Sequence, residues 1–310
     1  MPDPHTDLMQ RALSTRLCLQ ISLSALPLVK EWMDGKLTRW LESVPLPPEL
    51  PSGMRAEFRV SIASDLSRLT WRAFGAPRGF VPKLSHYLQS SGVASADMAL
   101  LNELGEKLEP ELVGSWIQVV DDELRTGWEF CEVQKLVHLV PQLGQQQATI
   151  ELLSWIAGQS IAEFKRFRQA VGENPFSELE LVLPGDSVAD QLAIASTAVS
   201  QLVDATLPDG VTAALQDGGA SAVTVVVAIF DGGIQSVGVR STGLRMDAVS
   251  GLCDETGAPY DNRLAQLEGV LQADGIELAE VRFDASSKAP EIDVGFIPGE
   301  AKRAPDLGQN

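Results

Sequence analysis

The sequence predicts a chain of mixed class: an N-terminal all-α orthogonal helical domain over residues 1–175, then an acidic α+β domain over 176–298 with a mainly antiparallel sheet and helices on one face. Three observations predict it. All six tryptophans (Trp32, Trp40, Trp71, Trp116, Trp128 and Trp155) lie in the first half. Residues 1–175 carry 17 Lys/Arg against 21 Asp/Glu, net −4, whereas 176–310 carry 7 against 21, net −14 of the chain's −18. At Gly172-Glu173-Asn174-Pro175 the hydrophobic spacing also shortens from three or four residues to two. A length of 310 residues suits two domains.

In the first half, Val29, Trp32, Met33, Leu37, Trp40 and Leu41 share a helical stripe that ends at Pro45-Leu46-Pro47-Pro48. A long helix from Ser52 carries Phe58, Ile62, Leu66, Leu69 and Ala73 and stops at Gly75-Ala76-Pro77. Shorter helices follow over 81–91 and from Ser95 to Leu108. Residues 111–125 and 128–140 read as two more. The last helix, about 148–171, bridges to the second domain, with Lys165-Arg166-Phe167-Arg168 complementing the dipole at its C-terminus.

In the second half, Glu178 to Leu183 alternates as a strand. Asp186 or Ser187 then caps a helix through Val203. Val211–Leu215 reads as a short strand. Ala222–Phe230, Asp231-Gly232-Gly233 and Ile234–Arg240 form a hairpin. A loose stretch leads to a helix over 261–273, and strands 278–284 and 291–297 close the domain. The tail 299–310 is polar and flexible by composition.

A pI near 4.5 disfavours nucleic acid and anionic membranes, since both are gripped by clustered Lys/Arg. The apolar run Ala222–Phe230 is too short to span a bilayer. Residues 17–29 mimic a signal core but lack a basic flank and a small-residue cleavage site, so a cytoplasmic protein is expected. Three separated cysteines (Cys18, Cys131, Cys253) form no C-x-x-C and suggest buried free thiols.

Cys131 and His138 are seven residues apart, on one face of the expected helix, with no third group for a metal or a dyad. His5 and His86 stand alone. The Gly-Gly pairs are hairpin glycines, and no phosphate-loop, dinucleotide, zinc-protease or serine-hydrolase motif occurs. No cofactor and no metal are therefore expected.

The expected function is that of a non-enzymatic binder, an inhibitor of a basic toxin or a chaperone of a secreted effector. Its acidic domain captures a basic protein partner through Asp254, Glu255, Asp261, Asp274, Glu277 and Glu280. The alternatives are a structural subunit of a larger assembly, or an enzyme of unrecognised class with a cleft between the domains.

Overall fold

The computed structural model describes residues 57–75, 77–90, 95–110, 112–120, 123–140, 147–172, 175–286 and 289–298. Its centre is a closed barrel of ten antiparallel strands. They are β1 (Glu57–Ala63), β2 (Arg68–Gly75), β3 (Val113–Val120), β4 (Glu123–Lys135) and β5 (Glu163–Val171). The other half is β6 (Phe176–Val182), β7 (Ala222–Phe230), β8 (Gly233–Thr242), β9 (Leu278–Asp284) and β10 (Glu291–Phe296). Each strand pairs with its neighbours in the chain, and β10 returns to β1 with Val60 opposite Phe296.

Odd-to-even connections are short turns and gather at one end of the barrel. Even-to-odd connections carry the helices from the other end. These are α1 (Pro77–Ser90), α2 (Ser95–Leu108), α3 (Gln147–Gly158), α4 (Val188–Val203), α5 (Asp209–Asp217), α6 (Met246–Thr256) and α7 (Leu264–Val270). The apolar core lies between strands and helices: Leu69 and Trp71 of β2, Val225 and Val227 of β7 and Val239 of β8 join one buried cluster with Leu84, Leu152 and Val199 of the helices. Trp128 of β4 packs there against Phe130 and Phe167, with ring centroids 5.3 and 5.8 Å away. Trp155 of α3 donates its ring N–H to Thr197 Oγ1 of α4 at 3.1 Å.

The expectation of an N-terminal helical domain is corrected. Residues read as helices over 52–73, 111–125 and 128–140 are mainly β1 to β4, and the helix expected over 148–171 splits into α3 and β5. The hydrogen-bonded pair β5–β6 crosses the expected boundary at residue 175. The reason is that these strands are buried on both faces. Leu69, Trp71 and Ala73 point to the helices while Thr70 and Arg72 point into the barrel, so period-2 alternation is present. Large inward residues such as Phe74 and Trp116 fill in the polar positions and create spurious spacings of three and four.

Elsewhere the periodic segments are found where expected: α1, α2, α4, β6, β7, β8, β9 and β10. Ser187 caps α4, its Oγ accepting from the Asp190 N–H at 3.2 Å. Residues expected as a strand at 211–215 form α5, and α6 occupies the stretch read as loose. The helix expected over 27–43 lies outside the described residues.

One glycine makes the barrel interior possible. Gly127 of β4 lies directly opposite Trp116 of β3. A Cβ at Gly127 would sit 2.0 Å from the Gln169 carbonyl oxygen and 2.6 Å from the Trp116 ring. Gly127→Ala is expected to cost about 1–3 kcal/mol by overpacking, read as a lower urea midpoint. An unchanged midpoint would contradict this placement of Trp116.

Candidate functional site

Strand alternation aims a set of arginines and carboxylates into the barrel. From β2 come Arg68 and Arg72, from β4 Arg125 and Glu129, from β5 Arg166 and Arg168, and from β6 Glu178 and Glu180. β8 supplies Arg240, β9 supplies Glu280 and Arg282, and β10 supplies Asp293. Apolar neighbours on each strand face the helices, so these charges stay in the lumen because the adjacent Leu, Val and Phe are already buried on the other side.

Below the mouth they form an alternating network. Arg240 lies between Glu180 and Glu280, its Nε donating to Glu280 Oε2 at 2.9 Å and its Nη1 to Glu180 Oε2. Thr224 donates to Glu180 Oε1 at 3.0 Å. Arg282 donates twice to Glu280 Oε1, at 2.8 and 3.0 Å, and its Nη2 is 3.5 Å from Glu178 Oε1. The other Glu178 oxygen accepts from Arg168 Nη1 at 3.0 Å. Arg166 approaches Glu180, Glu129 and Glu178 at 3.4, 3.8 and 3.9 Å. Arg72 Nε is 3.4 Å from Glu129 Oε1. Neither Glu129 oxygen, nor Nε and Nη2 of Arg166, completes a hydrogen bond, so Glu129 is held by charge attraction from Arg72 and Arg166.

Burial by itself would push the Glu178 carboxyl up, but Arg168, then Arg282 and Arg166, outweigh it and hold the group at about 2. Burial likewise opposes ionisation of Glu280, and Arg240 and Arg282 overcome it, leaving its carboxyl well below the usual range. Glu180 is shifted down in the same way by Arg240 and Arg166. Burial lowers Arg72 to about 10, Glu129 offsetting part of the cost.

At the turn end this network forms the floor of a cavity of about 190 Å³, lined by the arginines Arg68, Arg125 and Arg282, the carboxylates Glu178, Asp284 and Glu291, and Gln118 and Phe176 among others. Three guanidinium groups thus converge on one opening. Arg68 is fixed by Asp293, at 2.8 and 3.3 Å, and by Glu291 at 2.7 Å. The guanidinium carbon of Arg168 stacks 3.6 Å over the Trp116 ring, whose centroid is 5.8 Å from that of Phe176. The Trp116 face is thus taken by Arg168, and of the two rings Phe176 lines the cavity. Among the described residues, no group of three or more His, Cys, Asp or Glu could hold a metal ion.

Of the six carboxylates expected to form one partner surface, one departs from it by burial. Asp254 and Glu255 are exposed on α6, Asp261 pairs with Arg263 at 2.6 Å, and Asp274 is exposed before β9. Glu277 pairs with Arg59 at 2.5 Å. Glu280 is only 1% exposed and belongs to the lumen network, so it is not part of an outer surface. Cys131 and His138 do not share a helix face: Cys131 lies on β4, 4.0 Å from Arg59, and His138 is exposed beyond the strand. Arg166 and Arg168, read as a helix-terminal cluster, point into the barrel. The signal for the lumen residues was present as Arg-Leu-Thr-Trp-Arg at 68–72, Arg-Phe-Arg at 166–168, Glu-Leu-Glu-Leu at 178–181 and Glu-Val-Arg at 280–282.

No family model matches the chain. A PH domain-containing protein of Dictyostelium discoideum is 25% identical over 251 residues, covering 79% of this chain and 55% of that protein. The chain thus spans about half the length of that relative. Among solved structures, AnaPT from Neosartorya fischeri superposes with a TM-score of 0.67 at 9% identity, covering 98% of this chain and 96% of its own. The 5-dimethylallyl tryptophan synthase of Streptomyces coelicolor, in complex with DMASPP and Trp, gives 0.60 at 11%, covering 96% and 97%. Prenyltransferase PriB, with L-tryptophan and dimethylallyl thiolodiphosphate, gives 0.61 at 11%, covering 93% and 94%. At such identities the likeness establishes the fold, the closed barrel of aromatic prenyltransferases. The expectation of a non-enzymatic inhibitor or chaperone, built on two domains, is corrected by this match: the architecture is one that enzymes use, with the charged residues gathered inside it.

Proposed function

We propose that the protein is a transferase that moves an allylic prenyl group from its diphosphate to an aromatic acceptor at the mouth of the barrel. The observation that carries this reading is the convergence of Arg68, Arg125 and Arg282 on one cavity that the Phe176 ring also lines. Guanidinium groups match phosphate oxygens in charge and in fork geometry. They stabilise the diphosphate as the allylic C–O bond breaks and its electron pair leaves with oxygen. The allylic cation is held against the Phe176 ring at the cavity wall. An aromatic carbon attacks it, and the ring proton leaves to Glu291, the carboxylate beside Arg68 that reaches solvent. The folds of PriB and of the Streptomyces coelicolor enzyme, solved with tryptophan and a prenyl thiolodiphosphate, support the same two substrate classes.

The described cysteines, Cys131 and Cys253, are unbridged, and no helix among the described residues is long and apolar enough to cross a membrane. A cytoplasmic placement is proposed on the unbridged cysteines.

Titration calorimetry with inorganic pyrophosphate tests the donor site. Arg125→Ala is expected to raise Kd about tenfold, the loss of one charge-assisted contact of about 1.4 kcal/mol. No pyrophosphate binding by the wild type at millimolar concentration would overturn the reading.

A further inference from the structure

The mouth of the lumen has an apolar edge where β6 meets β7. Phe176 and Phe230 stand directly opposite each other in that ladder, so both side chains leave the sheet on its inward face. Phe176 lines the cavity and is buried, whereas Phe230, the last residue of β7, is 38% exposed. On the other flank of Phe230 stands Gly233 of β8. A Cβ there would meet nothing nearer than the Phe230 carbonyl oxygen, at 3.7 Å. The rim therefore has a notch, aromatic on one side and open on the other. In the ring of strands β7 lies halfway round from β2, so the notch faces Arg68 across the mouth.

Below the cavity there is no passage for an apolar chain. Glu178 accepts from Arg168, Arg282 donates to Glu280, and Arg240 joins Glu280 to Glu180. An alkyl chain entering this layer would separate buried ion pairs and leave their charges unmatched. The cavity volume of about 190 Å³ also falls short of the roughly 300–1,000 Å³ that encloses a whole ligand of drug size.

We infer that the donor's prenyl chain leaves the cavity through this notch over Phe230, and that Phe230 selects donors longer than one isoprene unit. The inference rests on the transferase reading for the diphosphate. With the diphosphate on the arginines and the first unit against Phe176, the second unit lies one strand over, on Phe230. Neighbouring strands are about 4.8 Å apart, a spacing that an extended isoprene unit matches. The floor blocks the chain from below, and the open flank at Gly233 lets it continue outward. The side of the mouth at Arg68 and Glu291 stays clear of the chain.

Calorimetry on the full chain with pyrophosphate, dimethylallyl diphosphate and geranyl diphosphate tests this. Geranyl diphosphate is expected to bind at least tenfold tighter than dimethylallyl diphosphate, because its second unit is removed from water against Phe230. Phe230→Ala should bring that ratio below about threefold and leave the pyrophosphate Kd within about twofold. Phe230→Leu, still apolar, should keep the ratio. Gly233→Asp puts a charge in the notch at a position with room for a side chain; it should act like Phe230→Ala and serves if that variant does not fold. Equal affinity of the wild type for the two prenyl diphosphates, or a ratio unchanged in both Phe230→Ala and Gly233→Asp, would overturn the path over Phe230 and leave the diphosphate site standing. Geranyl diphosphate binding that Phe230→Ala weakens, with no binding of pyrophosphate, would overturn the arginine site and keep the apolar path.

Discussion

Arg240→Met should destabilise the barrel by about 3–5 kcal/mol at pH 7, the cost of breaking a buried ion pair by removing one partner. Arg240 bridges Glu180 and Glu280, and both carboxylates are almost fully buried. Methionine has a comparable stem but removes the shared cation, leaving Glu280 to Arg282 and Glu180 to the more distant Arg166 in a medium that solvates neither carboxylate. The sign with pH follows. In the variant the two carboxyls shift upward, so acidification to about pH 5 protonates one and returns part of the loss. Urea unfolding of both proteins at pH 7 and pH 5 measures this. A loss below 1 kcal/mol at pH 7 would mean that the network contributes little, in contrast to the geometry.

The second large effect is acid unfolding of the wild type. Glu178 titrates at about 2 in the folded chain, against an ordinary 4.5. A depressed folded value contributes stability that is complete above the ordinary carboxylate range and is lost as pH falls toward 2. The difference corresponds to about 3 kcal/mol, and Glu180 and Glu280 shift in the same direction. Because these groups share arginines, their losses couple rather than add. The free energy of unfolding should fall by several kcal/mol between pH 5 and pH 2.5. A flat profile over that window would contradict a lumen held by ionised carboxylates.

How far the sequence reveals this molecule depends on what each strand's two faces touch. Ala222–Phe230 and Glu178–Leu183 were legible as strands because valines, or alternating leucines and glutamates, keep the period of two. In β3 the inward Trp116 and the outward Ser115 reverse the usual polarity, so periodicity pointed to a helix. Closure of the barrel was not legible at all, since the pairing of Val60 with Phe296 joins the two ends of the described chain and no local signal encodes it. The same holds for the site. Glu280 was noted as one of several acidic residues and placed on an outer surface. Its meaning changes once β8 and β9 bring Arg240 and Arg282 against it. The charge split between the halves has a matching explanation: β2, β4 and β5 contribute most of the lumen arginines, whereas β6, β9 and β10 contribute most of the carboxylates that neutralise them.

The most direct test of the central claim is turnover. The purified full chain, incubated with dimethylallyl diphosphate and a panel of indole and phenol acceptors including tryptophan and tryptamine, should release pyrophosphate in an acceptor-dependent manner. A prenylated product should be detectable by mass, and both signals should fall at least tenfold in Arg125→Ala. Neither product nor acceptor-dependent pyrophosphate across the panel, from a protein shown to be folded, would contradict a prenyl-transfer site at the mouth of the barrel.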